Sequence, residues 1–206
     1  FPERHIGSQW SVVSMDAPLE QLLWQFGSET KLSIAWDDEQ SNIRRKRATV
    51  CLPFSERLQV VEIVTGAAGL VWHYDGQGGT IYDPSRYKRF EDIQRVLAQE
   101  AVSSWQRFLL HYRTDARASN AHYCLGRLFG LMDEHATALG EYKLVATQYY
   151  SDPLAPHAIL DASKVKTDLL DYEGAREDLN ELLIRYPNCK VADTATLYLA
   201  EATLMG

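Results

Sequence analysis

The stretch DYEGAREDLNELLIRYPN, which covers residues 171–188, contains the pattern that decides the fold. Two of its residues, Ala175 and Tyr186, belong to series that recur every 37 positions along the chain. Four such series run through the second half of the sequence: Tyr112, Tyr149 and Tyr186; Ala101, Ala138 and Ala175; Ala121, Ala158 and Ala195; and Leu125, Ala162 and Leu199. A period of this length indicates a solenoid of stacked helix pairs.

The same stretch is similar to a tetratricopeptide repeat. The residues that stand at the family's spacing are Tyr172, Ala175, Leu179, Leu182 and Pro187. In the preceding repeat they are Leu125, Gly126, Phe129, Ala138 and Tyr142. The chain departs from the family where a large aromatic is expected early in the first helix, at His122, Ile159 and Thr196, and it has Lys166 at a position that usually holds Tyr. The resemblance implies a protein-binding scaffold.

The repeat register predicts that residues 89–206 are all helical. We expect a leading helix over residues 90–112, followed by helices over 118–131, 136–149, 155–169, 172–186 and 191–205. The last helix has no partner, and its Leu197, Leu204 and Met205 do not resemble a polar cap. Because a solenoid end needs such a cap or another repeat, we expect the repeats to continue beyond the chain end.

Residues 1–88 predict a small α+β domain that precedes the repeats. Strand-like and helix-like runs follow one another in the order strand, helix, strand, strand, helix, strand, strand (βαββαββ). Asp16 is a candidate cap of the first helix, whose apolar residues recur at helical spacing. These apolar residues are Leu19, Leu22, Leu23 and Phe26. The run from Asp75 to Gly79 predicts a hairpin turn between the last two strands.

Two segments in this part have a similar pattern: DAPLEQLLWQFGSETKLSIAWD (residues 16–37) and LPFSERLQVVEIVTGAAGLVWHYDGQGGTIYD (residues 52–83). The ordered pattern resembles the STN module, the short N-terminal domain of secretins and TonB-dependent receptors, over about residues 9–84. Gly69-Leu70 matches the family's entry to the following strand, whereas Lys31-Leu32 lacks the glycine. The resemblance implies a periplasmic docking module, and the alternative is an unrelated small α+β sandwich.

The composition excludes several function classes. The chain has 206 residues, of which 46% are apolar and 24% charged, an ordinary globular balance. Its formal net charge of −7 disfavours a nucleic-acid-binding surface, because such surfaces neutralise phosphates with Lys and Arg. The longest stretch without Asp, Glu, Lys or Arg covers 12 residues, 63–74. Since a membrane span needs about 20 apolar residues, we expect no transmembrane segment in this chain.

Residues that carry chemistry are sparse. Cys51, Cys124 and Cys189 are widely spaced, and the sequence has no C-x-x-C motif and no Cys/His cluster. His122 and Cys124 stand two positions apart on a predicted helix, so they point about 200° apart and cannot hold one metal ion. We therefore expect no catalytic residues, no metal site and no cofactor.

The repeat register also predicts an interaction groove, because the first helix of each pair lines the concave face of such solenoids. The predicted groove residues are Asn120, Tyr123, Arg127 and Leu131 in the first repeat, His157, Leu160, Lys164 and Asp168 in the second, and Thr194, Leu197, Glu201 and Met205 in the third. This mixture of aromatic, aliphatic and charged side chains suits an extended peptide or a partner helix. Ordinary solvated surface is the alternative for each residue taken singly.

A second candidate interaction site is the basic run of Arg44, Arg45, Lys46 and Arg47, which joins two predicted strands. Such a cluster would suit an acidic partner or an anionic lipid surface. The alternative is an exposed connecting loop whose charge is balanced by the acidic residues at 37–39.

The two resemblances together imply a non-enzymatic adaptor of the bacterial cell envelope, periplasmic or envelope-associated, that acts in secretion, outer-membrane assembly or transport. Its partners would be other envelope proteins or peptides, docked through the STN-like module and the groove of the repeats. Two alternatives stay open. The chain would instead be a transmembrane signalling component that contacts an anti-sigma-type regulator, or the non-catalytic part of a larger enzyme.

Overall fold

The computed structural model describes residues 9–37 and 42–206, which contain five β-strands and eight α-helices. A small N-terminal α+β region is followed by a helical region, as the sequence predicts. The chain divides into two compact units, the first ending at Leu97 and the second covering Ala98–Gly206. No helix of the described residues is both long enough and apolar enough to cross a membrane.

The first unit follows the predicted order of strands and helices. Its elements are β1 (Gln9–Pro18), α1 (Leu19–Thr30), β2 (Ser33–Trp36), β3 (Arg47–Glu56), α2 (Arg57–Ala67), β4 (Val71–Tyr74) and β5 (Gly78–Tyr82). β1 and β3 form a two-stranded antiparallel sheet, with Val13 opposite Cys51. In the second sheet the central β5 is parallel to β2 and antiparallel to β4.

One hydrophobic core is shared by both sheets and both helices of the first unit. Val12 and Val50 face it from the long strands, Trp72 and Ile81 from the second sheet, and Val61 from α2. The four apolar residues predicted to form the inner face of α1 are all buried. The spacing of these residues therefore identified both the helix and its packing face.

The first unit is built from two similar halves, β1-α1-β2 and β3-α2-β4, whose strands have matching lengths. Asp16 and Phe54 occupy the same place in the two long strands and both have positive φ, 46° and 44°. The prediction that Asp16 caps α1 is wrong, because β1 continues to Pro18 and the helix begins at Leu19. Asp16 lies instead at a bulge of β1, where its carboxylate pairs with Arg47.

The two helices of these halves end in the same way. Lys31 follows α1 with φ 55°, and Gly69 stands at the equivalent place after α2 with φ 68°. Leu32 N–H donates to the Gly27 carbonyl, and Leu70 N–H donates to the Thr65 carbonyl, both at 3.0 Å. Lys31, the residue that departs from the STN pattern, thus adopts the left-handed conformation that glycine adopts at lower cost.

We expect Lys31→Gly to stabilise the first unit by about 1 kcal/mol, because glycine avoids the steric cost of a side chain in the left-handed region. The matched change Gly69→Ala imposes that cost at the equivalent place and should destabilise by about 1 kcal/mol. Urea unfolding followed by tryptophan fluorescence measures both effects. A Lys31→Gly variant no more stable than the parent protein would contradict the assignment.

The second part of the chain is a succession of helices whose bounds agree with the predicted ones to within one residue. They are α3 (Phe90–His111), α4 (Ala118–Leu131), α5 (His135–Gln148), α6 (Ala155–Asp168), α7 (Tyr172–Arg185) and α8 (Ala192–Met205). Each helix from α4 to α7 contacts the next one, and α6 also contacts α8. The helices therefore pack mainly against their neighbours in the chain.

Backbone hydrogen bonds and turn conformations recur with the same period of 37 residues as the sequence. The N–H groups of Asp115, Asp152 and Cys189 donate to the carbonyls of Tyr112, Tyr149 and Tyr186 at 2.8–3.1 Å. The tight turns from α4 to α5 and from α6 to α7 each contain one residue with φ 63°, Asp133 in the first and Leu170 in the second. Both the turns within helix pairs and the turns between them therefore repeat with the sequence.

The recurring small residues lie where helices approach most closely. Ala121, Ala158 and Ala195 have no exposed surface. Gly126 of α4 faces the ring of Tyr142 of α5, and a Cβ added at Gly126 would stand 2.6 Å from that ring. Because Tyr142 is only 4% exposed, its ring has little room to move away. The absence of a side chain at Gly126 thus sets the distance between α4 and α5.

Lys166, which departs from the tetratricopeptide pattern, has an ion-pair partner in the helical unit. Its Nζ lies 2.7 Å from Asp178 Oδ2 of α7 and donates to the Gly174 carbonyl at 3.2 Å. Burial raises the pKa of Asp178, although the hydrogen bond from Lys166 acts in the opposite direction. The departure from the family pattern is therefore matched by a charge on the partner helix.

We expect Gly126→Ala to lower the free energy of unfolding by about 1–3 kcal/mol, because the new methyl group overlaps the packed Tyr142 ring. Gly140→Ala is the matched control, since Gly140 lies inside α5 with nothing within 4 Å of an added Cβ. It should stabilise by roughly 0.5–1 kcal/mol through helix propensity. Urea unfolding followed by circular dichroism at 222 nm would separate the two, and equal effects would contradict the packing argument.

Candidate functional site

The second unit contains a pocket of about 560 Å³ between α4, α5, α6 and the start of α8. Seven of the twelve predicted groove residues line it: Tyr123, Arg127, His157, Leu160, Lys164, Asp168 and Thr194. The other five, which lie outside the lining and are exposed, are Asn120, Leu131, Leu197, Glu201 and Met205. The structure thus brings together the middle of the predicted groove and leaves its ends on open surface.

The repeat places these side chains in register. Tyr123 and Arg127 stand one helical turn apart on α4, and Leu160 and Lys164 occupy the equivalent positions on α6. Successive helices that present the same positions on the same side form rows of side chains across the unit. Leu160 differs from its predicted role as a surface residue, because it is only 4% exposed and packs with Ile159, Leu179 and Ala195.

Asp161 is the centre of the polar contacts in the pocket. The Tyr123 hydroxyl donates to Asp161 Oδ2 at 2.7 Å, and Lys164 Nζ donates to Asp161 Oδ1 at 3.0 Å. Lys164 Nζ also lies 5.3 Å from the centre of the Tyr198 ring on α8, within the range of a cation–π contact. Both carboxylate oxygens of Asp161 are therefore engaged, and the contacts link α4, α6 and α8.

The two tyrosines of the pocket are held in the protonated form. Burial, together with the hydrogen bond to Asp161, raises the pKa of Tyr123. Burial, together with the nearby charge of Asp161, raises the pKa of Tyr142. The positive charge of Arg127 favours the ionised form of both tyrosines and so acts against this rise in their pKa. At neutral pH both of these phenols are therefore neutral.

The free energy of unfolding should fall as the pH rises above about 10, the pKa of tyrosine in an unfolded chain. The unfolded state then loses protons that Tyr123 and Tyr142 retain in the folded state, so the stabilisation present below pH 10 is progressively lost. Tyr123→Phe should make this loss less steep, whereas Tyr150→Phe, at an exposed tyrosine, should not change it. Chemical unfolding between pH 8 and 11 measures the slope, and an unchanged slope in Tyr123→Phe would contradict the argument.

Arg127 differs from the other charged residues of the pocket. It is exposed on α4 and forms no ion pair or hydrogen bond with the described residues, whereas Lys164 is paired with Asp161. Asp168 is likewise exposed and unpaired at the end of α6 within the described part of the chain. The pocket therefore offers one guanidinium whose donors are available, and one carboxylate at its rim.

The sequence prediction missed several lining residues, above all Asp161, Tyr142 and His135. Asp161 stands four positions after His157, a spacing that puts both on one helix face, so the signal was present in the sequence. Tyr142 and His135 belong to α5, the second helix of its pair, and enter the pocket from the side. The Nδ1 atom of His135 is buried without a hydrogen-bond partner among the described residues.

His122 and Glu141 form a separate polar contact on the other side of α4 and α5. His122 Nδ1 lies 2.7 Å from Glu141 Oε2, and the His122 ring packs 5.9 Å from the Tyr149 ring. This explains how the chain accommodates a histidine where the repeat family expects a large aromatic. Among residues 9–37 and 42–206, no group of three or more His, Cys, Asp or Glu side chains is arranged to hold a metal ion.

The basic run is largely engaged within the first unit. Lys46 Nζ lies 3.0 Å from Asp83 Oδ2 and donates to the Ala68 carbonyl at 3.2 Å. Arg47 Nε lies 2.8 Å from Asp16 Oδ1. Arg44 pairs with Glu20 at 3.4 Å.

Arg45 is the member of the run that is exposed and unpaired among the described residues. Of the acidic residues expected to balance the run, Asp37 pairs with Arg86 at 2.6 Å. Asp38 and Glu39 lie outside the described residues. Three of the four basic residues therefore form ion pairs within the first unit, as expected of a connecting segment whose charge is balanced locally.

A further surface of the first unit lies beside an edge strand. β2 is at the edge of its three-stranded sheet, and a pocket of about 420 Å³ lies between it and α1. Trp24, Lys31 and Ile34 are among the lining residues, and Trp24 is 75% exposed. An edge strand next to a large exposed aromatic is a typical place for the backbone of another chain to bind.

The sequence matches no protein-family model and no curated protein. The assignment of the pocket therefore rests on its own geometry.

Proposed function

We propose that this chain is a non-enzymatic adaptor of the bacterial cell envelope, which binds other envelope proteins or peptides through the pocket of its helical unit. The observation that carries the proposal is the assembly of that pocket from repeat-equivalent positions on successive helices. A row of aromatic, aliphatic and charged side chains across stacked helices suits an extended peptide better than a small compact substrate.

The helical unit is proposed to be a tetratricopeptide-like solenoid. Support comes from the period of 37 in the sequence, the recurring turns with φ 63°, and the buried alanines at equivalent places. Gly126 against Tyr142 supplies the close approach between the two helices of a pair. Solenoids of this kind use the rows formed by their first helices as binding surfaces.

The first unit is proposed to be an STN-like docking module, which carries the suggestion of a periplasmic location. Support comes from the order of its strands and helices and from its two similar halves with matching helix ends. The edge of β2 beside Trp24 is the surface through which this module would dock a partner. Because fold alone does not fix function, the location rests on this resemblance.

The chemistry of the pocket supports binding over catalysis. A catalytic nucleophile is typically activated by a lowered pKa or an adjacent base. Burial raises the pKa of the Cys124 thiol on α4, and burial with its hydrogen bond raises that of Tyr123. Both oxygens of Asp161 accept hydrogen bonds, from Tyr123 and from Lys164, and these contacts favour its ionised form over a protonated one.

Site-specific photocrosslinking in cells that naturally make the protein tests the proposal. We expect a photoreactive residue at Asp168 or Thr194, both exposed at the rim of the pocket, to give defined adducts with envelope proteins. Ile184, which is 80% exposed on α7 away from the pocket, is the matched control and should give none. Equal adducts at Ile184, or adducts with cytoplasmic proteins, would contradict the proposal. Adducts confined to a probe at Trp24 would favour the signalling alternative.

A further inference from the structure

We propose that Arg127 selects the ligand, so that the pocket accepts a peptide with an acidic side chain next to an apolar one. This inference rests on the proposed function, since it names the kind of peptide that the same pocket takes. It follows from which polar groups of the pocket are already engaged and which remain available.

The central carboxylate of the pocket already has a cationic partner, which disfavours a basic residue as the central ligand. Asp161, which lies deepest among the carboxylates of the pocket, accepts one hydrogen bond from Tyr123 and one from Lys164. A lysine or arginine of a peptide would stand beside the positive charge of Lys164 in order to reach it, which is unfavourable. The positive charge of Lys164 is in turn balanced by Asp161 and directed toward the Tyr198 ring.

Arg127 is the cation of the pocket lining that remains available among the described residues. It is exposed, forms no ion pair with the described residues, and still acts on the ionisation of Tyr123 and Tyr142 inside the pocket. An arginine guanidinium presents donors in a planar fork that matches the two oxygens of a carboxylate. His135 and His157 line the same pocket and add no negative charge beside it.

The surroundings of Arg127 indicate what stands next to the acidic side chain. The ring of Tyr123, which is half-buried, lines the pocket and offers apolar surface to a neighbouring residue. Asp168 lies at the rim of the pocket, and its carboxylate repels an acidic group of a peptide. The acidic side chain of the peptide should therefore bind away from Asp168. The second unit as a whole is acidic, so an anionic ligand needs this local cation, and a polyanion such as a nucleic acid is disfavoured.

Selection from a phage-displayed library of random 12-residue peptides on the whole chain tests the inference. We expect the enriched peptides to share one Asp or Glu beside an aliphatic or aromatic residue. Synthetic copies, measured by fluorescence anisotropy, should lose affinity about tenfold or more with Arg127→Ala, the loss typical of a charge-assisted contact. Arg113→Ala, at another exposed and unpaired arginine of the same unit, is the matched control and should leave affinity unchanged.

A charge exchange makes the test specific. Arg127→Glu should abolish binding of the acidic peptide, and replacing its Asp or Glu by Lys should restore binding to that variant. Because Arg127 has no ion-pair or hydrogen-bond partner among the described residues, circular dichroism should show both variants as stable as the parent protein.

The other outcomes separate this inference from the proposed function. Peptides that bind without an acidic preference, unaffected by Arg127→Ala but lost with Tyr123→Ala, would overturn the inference and leave the proposed function standing. No enriched peptide, or binding insensitive to both changes, would overturn both. Binding of phosphatidylglycerol vesicles through Arg127, in place of peptides, would also overturn the inference.

Discussion

The close approach of helices at small residues is the constraint on which the second unit depends. Ala121, Ala158 and Ala195 have no exposed surface, and Gly126 leaves room for the ring of Tyr142. Protein interiors are close-packed, so a larger side chain at these places would push the helices apart. The small residues recur every 37 positions, and side chains at equivalent positions of α4 and α6 line one pocket.

That alignment has an electrostatic consequence. It brings Asp161 of one repeat within hydrogen-bond distance of Tyr123 of the previous repeat, where a partly buried carboxylate needs donors to offset its lost hydration. Lys164, one helical turn away, supplies the balancing charge. Arg127 stands at the position equivalent to Lys164, but in its repeat Cys124 takes the place of Asp161. The same repeat position therefore holds an engaged cation in one helix and an available one in the next.

The first unit is also built from repeated parts, since its two similar halves share one hydrophobic core. The left-handed residue after each helix redirects the chain into the next strand, and it is a glycine in one half and Lys31 in the other. Three residues of the basic run between the halves form ion pairs with Glu20 of α1, Asp16 of β1 and Asp83, which follows β5. Most of the basic run that the sequence presents as a candidate binding surface is thus engaged in ion pairs within the unit.

The sequence by itself determined the order of elements, the bounds of α3 to α8 to within one residue, and the middle of the pocket, because all of these depend on periodicity along the chain. Tertiary structure decided the pairings between elements. That Tyr123 donates to Asp161, that Lys166 pairs with Asp178, and that Lys46 pairs with Asp83 could not be predicted from spacing. Periodicity states which residues share a face, but a hydrogen bond or ion pair requires two side chains from different elements to meet within about 3 Å, and only the packing of those elements sets that distance.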